Sequence, residues 1–140
     1  MQKQLKNEAK VLARLQHTNI VQFFGSFTEE GGNMFIILEF CSGGTLKTLV
    51  KRRKTNTSLP VPENEAVKII RAVAYGVDYM HDHGYLHRDI KPDNILIDNS
   101  LPKLADFGLA VHMNEYEGIR AGTRNYYAPE GYFSVDKLYN

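Results

Sequence analysis

Residues 87–94 constrain this chain most, and they read His-Arg-Asp-Ile-Lys-Pro-Asp-Asn. The Asp89 carboxylate, the cations Arg88 and Lys91 and the Asn94 side-chain amide fall within eight residues. These groups are equipment for handling a hydroxyl nucleophile beside phosphate and a divalent metal. Seventeen residues after Asp89 come Asp106-Phe107-Gly108, and twenty-two after Asp106 come Ala128-Pro129-Glu130. A long helical pattern delivers the chain to the first motif. The stretch between the first two, Ile95-Leu96-Ile97 and Pro102-Lys103-Leu104-Ala105 around Asp98-Asn99-Ser100, reads as a β-hairpin.

In this order and at these spacings the three motifs resemble the catalytic loop, metal-binding loop and closing motif of the eukaryotic protein kinase family, serine/threonine type. One tripeptide alone would carry little weight. Three of them, with Lys91 and Asn94 at the proper offsets from Asp89, carry a great deal. The resemblance covers almost all of the 140 residues. It implies a two-lobed α+β fold truncated at both ends: a partial small lobe over residues 1–40, a hinge at 39–44, and the first half of a mainly helical large lobe over 45–140.

Composition agrees with a folded domain and excludes several classes of function. The chain is 43% apolar and 24% charged, the balance of a globular core. A net charge of +1 provides no large field for nucleic acid or an anionic membrane, and no apolar run is long enough to span a bilayer or act as a signal peptide. The single cysteine, Cys41, cannot form an internal disulfide. An intracellular setting is expected, cytoplasmic in the first instance and with the nucleus open.

Apolar residues Leu5, Ala9, Leu12 and Leu15 recur at helical spacing, predicting an amphipathic helix over 5–15. Two β-branched and aromatic runs, 20–27 and 34–40, flank Thr28-Glu29-Glu30-Gly31-Gly32-Asn33 and predict a hairpin. A short helix follows over 45–54, and its terminal Lys51-Arg52-Arg53-Lys54 reads as a solvated helix end. Thr55-Asn56-Thr57-Ser58 reads as a surface loop. The longest helix opens at Pro62, carries a stripe of Ala66, Ile70, Val73, Val77 and Met80 widened by Val67, Ile69 and Ala74, and ends at Gly84. Such a stripe is core.

Roles follow from the resemblance. Asp89 would orient or accept the proton of a substrate hydroxyl, Lys91 would approach the γ-phosphate of ATP, and Thr123 would stand beside both. Asp106 and Asn94 would hold Mg2+. Leu38 would be the gatekeeper, the Glu39 to Cys41 backbone would bond adenine, and Leu96 would form its apolar floor. Nothing nearby in sequence activates Cys41, which reads as a packed thiol. Glu8 would pair with a strand lysine, while Leu12, Phe23, His87 and Phe107 would stack as a spine. Gly108 completes the metal-binding motif, and Glu130 would pair with an arginine. Lys91 and Gly122-Thr123 imply a protein substrate phosphorylated on serine or threonine, with ATP and Mg2+ as cofactors.

Arg88 would meet an anion on the activation segment, yet residues 106–130 contain no serine and only Thr123 as threonine. Glu115, Glu117 or a phosphorylated Tyr116 is therefore expected to supply it. No G-x-G-x-x-G-x-V pattern occurs, and the strand lysine would lie before Met1. The chain is expected to be an incomplete and inactive portion of a kinase domain, with weak ATP binding. A non-catalytic, kinase-like binding module is the alternative. Intact Asp89, Asn94 and Asp106 favour the enzyme.

Overall fold

The computed structural model describes residues 2–56, 60–118 and 121–128, and it is an α+β fold. Helix α1 spans Gln2–Leu12 and buries Ala9, Val11 and Leu12. It stops short of the predicted end because its hydrogen bonds tighten. Ala13 N bonds Ala9 O, but Arg14 N and Leu15 N bond Val11 O and Leu12 O, three residues back. Leu15 still turns into the core. A polar turn follows, in which Asn19 N donates to His17 Nδ1 and Ile20 N to His17 O.

The predicted strand over 20–27 is split. Ile20 forms a parallel bridge with Leu104, and only Phe23–Thr28, strand β1, pairs with β2 at Met34–Leu38. The break falls at Gln22, whose backbone N–H and C=O are taken by the Glu39 carboxylate and the Glu39 N–H. After residues 39–44, Thr45 caps helix α2, Leu46–Asn56, its Oγ1 accepting from Thr48 N at 3.1 Å. Thr45 thus precedes the helix that was expected to begin there. Thr57 and Ser58 lie outside the described residues.

Helix α3 spans Glu63–Asp82. Gly84 ends its cap region at φ +76°, where a Cβ would come within 2.8 Å of His112 Nε2. The stripe needs correction. Ile69, Gly76 and Met80 are buried, and Val73 and Val77 pack against the core. Ile70 is 68% exposed and Val67 45%. The apolar arc is wider than the surface that covers it, so one half packs and the other faces solvent.

Beyond α3, strand β3 (Tyr85–Leu86) pairs antiparallel with β6 (Val111–His112). The expected second hairpin is β4 (Ile95–Asp98) with β5 (Leu101–Leu104), in register Ile95↔Leu104. Asn99 and Ser100 turn it at φ 44° and 68°, the left-handed pair a tight hairpin requires. One core cluster joins α1 through Leu12, α3 through Met80 and the hairpin through Ile97 and Leu104, with Phe107 at its end. The elements that carry residues 87–94 and 106–108 are thereby anchored on both sides.

Candidate active site

The site is built on the ends of the β4–β5 hairpin. Because Ile95 opposes Leu104, the flanking residues meet as well, and Ala105 N donates to Asn94 O at 2.9 Å. The two motifs are therefore adjacent in space. His87 is 3% exposed, with Nε2 3.1 Å from Ala105 O and Nδ1 accepting from Asp89 N at 3.3 Å. Those two bonds fix a neutral ring with its proton on Nε2. Burial lowers the His87 pKa and outweighs the opposing Ala105 carbonyl and the charges of Asp106 and Asp89. Its ring centroid lies 5.0 Å from that of Phe107. Leu12 and Phe107 belong to the core cluster, and Phe23 packs against it.

Asp89 is 7% exposed and held from several sides. Lys91 Nζ donates to Oδ2 at 2.7 Å, Asn94 Nδ2 to Oδ2 at 3.0 Å and to Asp89 O at 2.9 Å, and Thr123 N to Oδ1 at 2.7 Å. Lys91 Nζ also donates to Thr123 Oγ1 at 2.7 Å, so that with the Thr123 N–H the three residues close a ring. Burial alone would raise the Asp89 pKa, but the bonds from Lys91 and Thr123 hold it below the usual carboxylate value. The same bond raises that of Lys91. Such a carboxylate stays ionised and orients a hydroxyl more readily than it removes its proton.

The Asp106 carboxylate is exposed at φ 61°, with Gly108 N 3.4 Å from Oδ1. Asn94 turns its amide hydrogens toward Asp89, which leaves its amide oxygen as the atom for a hard cation. Among the described residues no three His, Cys, Asp or Glu side chains converge on a metal position. An exposed carboxylate with one amide oxygen suits Mg2+, which keeps water and phosphate oxygens as its other ligands.

Two neighbours on α1 reach the same loop. Glu8 Oε1 accepts from Phe107 N at 3.3 Å, and Asn7 Nδ2 faces Ala110 O at 2.8 Å, Gly108 O at 3.2 Å and Phe107 O at 3.4 Å. Burial raises the Glu8 pKa, against the pull of the Phe107 N–H and with the help of Asp106. Among the described residues no cation pairs with Glu8. Asn7 was not legible in the sequence, because a polar residue on an amphipathic helix carries no sign of its partner.

On the expected adenine side, Leu38 and Leu96 are half-buried and pack against the core cluster. Glu39 N bonds Gln22 O, so its carbonyl is the backbone group left for a ligand. Its carboxylate turns away to Lys103 Nζ at 2.9 Å, with side chains 11% and 16% exposed for Lys103 and Glu39. A lysine among the apolar residues of a strand was the one signal of this pair. Burial, then Glu39 and Asp98, raise the pKa of the Cys41 thiol, which opposes reactivity.

Arg88 takes φ 67° and donates from Nε to Leu109 O at 2.8 Å, with its guanidinium 5.9 Å from the centre of the Tyr116 ring. Glu115 lies instead 3.9 Å from Lys10. Of the three residues expected to serve Arg88, Tyr116 is the one that stands beside it, through its aromatic face. Pro129 and Glu130 fall outside the described residues. A shallow hollow lined by Glu63, Asn64, Val67, Lys68 and Arg71 shares no residue with the site.

The family model for the protein kinase domain matches residues 1–135. Serine/threonine-protein kinase Nek5 of Mus musculus is 38% identical over 130 residues, covering 89% of this chain and 20% of that protein. Serine/threonine-protein kinase PLK4 of Xenopus tropicalis is 35% identical over 134 residues, 93% of this chain and 14% of that protein. Calcium/calmodulin-dependent protein kinase type 1 of Macrobrachium nipponense is 41% identical over 133 residues, 90% and 36%. The chain therefore spans at most 36% of the length of these three relatives.

Proposed function

The chain belongs to the protein kinase family, and from that premise we propose that it carries the phosphoryl-transfer centre of a serine/threonine protein kinase. The reaction would move the γ-phosphoryl group of ATP to a protein hydroxyl. The observation that carries the reading is the ring of Asp89, Lys91 and Thr123. It joins an ionised carboxylate to a cation beside the segment on which an acceptor hydroxyl would rest.

In this reading Asp89 orients the acceptor hydroxyl, and Lys91 shares its charge between Asp89 and the incoming phosphate. Asn94 and Asp106 hold the metal. When bound, ATP supplies the transferable group and Mg2+ neutralises its oxygens. The Glu39 carbonyl and the Cys41 backbone face adenine, with Leu38 and Leu96 against the ring. Residues 1–40 would be part of a small lobe, 39–44 the hinge and 45–140 part of the large lobe. Serine/threonine selectivity is supported by Lys91, by Thr123 and by the two relatives that are serine/threonine-protein kinases, Nek5 and PLK4. No helix among the described residues is long and apolar enough to cross a membrane. Because Glu8 meets no cation among the described residues, slow turnover is expected of these 140 residues alone.

The test is transfer of radiolabelled phosphate from ATP to pooled serine, threonine and tyrosine peptides with Mg2+. Incorporation into serine and threonine should fall about a hundredfold or more in Asp89→Asn and Asp106→Asn. Equal labelling by Asp89→Asn would sink the assignment. If turnover is too slow to detect, a thermal shift with ATP and Mg2+ decides: a shift lost in Asp106→Asn supports the reading, and no shift refutes it.

A further inference from the structure

We propose that Asn7 is a positioning residue for the loop that carries Asp106: its amide clasps the backbone of residues 107–110 from α1 and so sets where the Asp106 carboxylate points. The turn closes on itself through Ala110 N and Phe107 O at 3.0 Å. Closure leaves the carbonyls of Phe107, Gly108 and Ala110 gathered toward α1, and Asn7 Nδ2 lies within 3.4 Å of all three. Two amide hydrogens shared among three oxygens are a donor placed for this turn. Only the NH2 end of the side chain fits, since an amide oxygen there would oppose three others.

The neighbouring residue completes the grip. Glu8 Oε1 takes the Phe107 N–H, so adjacent side chains supply donor and acceptor to one turn. The turn needs holding, because Asp106 sits at φ 61°, in the left-handed region, which costs a residue with a Cβ about 1 kcal/mol. On its other side Ala105 N is fixed to Asn94 O. Asp106 is thus pinned between the hairpin and α1, and α1 is itself seated by Ala9, Val11 and Leu12. A displacement of α1 would carry Asn7 with it and release the turn. That the aimed carboxylate serves a metal-bound nucleotide rests on the kinase reading above; the clasp itself does not.

Asn7→Asp keeps size and shape while removing the donor, Asn7→Ala removes the side chain, and the exposed neighbour Lys6→Ala is the control. Amide exchange by NMR at Phe107 and Ala110 should accelerate about tenfold in both Asn7 variants, with Ile97 and Leu104 unchanged. Affinity for ATP with Mg2+ should fall about tenfold, while affinity for ATP in EDTA stays as it is. Unchanged exchange at Phe107 and Ala110, or a rise matched at Leu104, overturns the clasp. Faster exchange with unaltered Mg2+ dependence overturns the link to Asp106. If the unsubstituted chain binds ATP in neither condition, the kinase reading fails, and the exchange measurement still decides for or against Asn7.

Discussion

At Gly122 the backbone passes so close to the loop of residues 87–94 that a Cβ would lie 2.2 Å from Arg88 O, and φ is +104°. Any side chain there must push residues 121–123 away from Asp89. Gly122→Ala should break the bond between Thr123 N and Asp89 Oδ1 and misplace the acceptor platform. We expect phosphate transfer to fall about a hundredfold while ATP affinity stays within about twofold; transfer within about threefold of the parent would refute this. Asp89, Asn94 and Asp106 were legible in sequence because a short loop and a hairpin fix their spacing, and spacing can be read. Asn7 was not, and Lys103 showed only as a lysine within an apolar strand, because each acts on a partner brought by the fold from a distant part of the chain.

Among the elements, the hairpins were the most readable. Apolar β-branched and aromatic runs around polar turns signalled β1–β2 and β4–β5, whereas the two-residue strands β3 and β6 are too short to show any such run. For α3 the apolar arc was visible, but which half would be covered was a property of the packing. The charged tie between elements was hidden in the same way. Lys103 on β5 holds Glu39 just past β2, and Glu39 holds Gln22 at the entry to β1. Lys103→Met would leave a partly buried carboxylate without its cation and should lower unfolding stability by about 2 kcal/mol. Adding Glu39→Gln should restore at least about half of that loss in urea denaturation. A double variant as unstable as the sum of the single ones would show that the two side chains are not coupled.

For the whole molecule the buried imidazole of His87 is expected to weaken the fold in mild acid. Its folded-state pKa lies below the ordinary 6.5, so the unfolded chain takes up the proton first. The stability His87 contributes is complete above pH 6.5 and is lost as pH falls through that value toward the lower, folded one. Glu8 runs the other way: its pKa is raised from 4.5, so its contribution is present in acid and fades as pH rises. The urea midpoint should therefore drop between pH 7 and pH 5, more steeply in Glu8→Gln and less steeply in His87→Phe. Equal slopes in all three proteins would exclude His87 as the cause.

The clasp of α1 on the Asp106 loop also sets an order of assembly. Asn94 reaches Asp89 across 5 residues and Thr123 reaches it across 34, but Asn7 and Glu8 reach residues 107–110 across 99 to 103. Closing the longest of these loops costs about 1 kcal/mol more chain entropy than closing the one to Thr123. The loop of residues 87–94 and the β4–β5 hairpin are thus a local unit able to form early. On loop-closure entropy the amino-terminal helix is expected to dock onto it later, so in pulsed-exchange refolding Leu104 should gain protection before Val11; simultaneous protection would rule this order out.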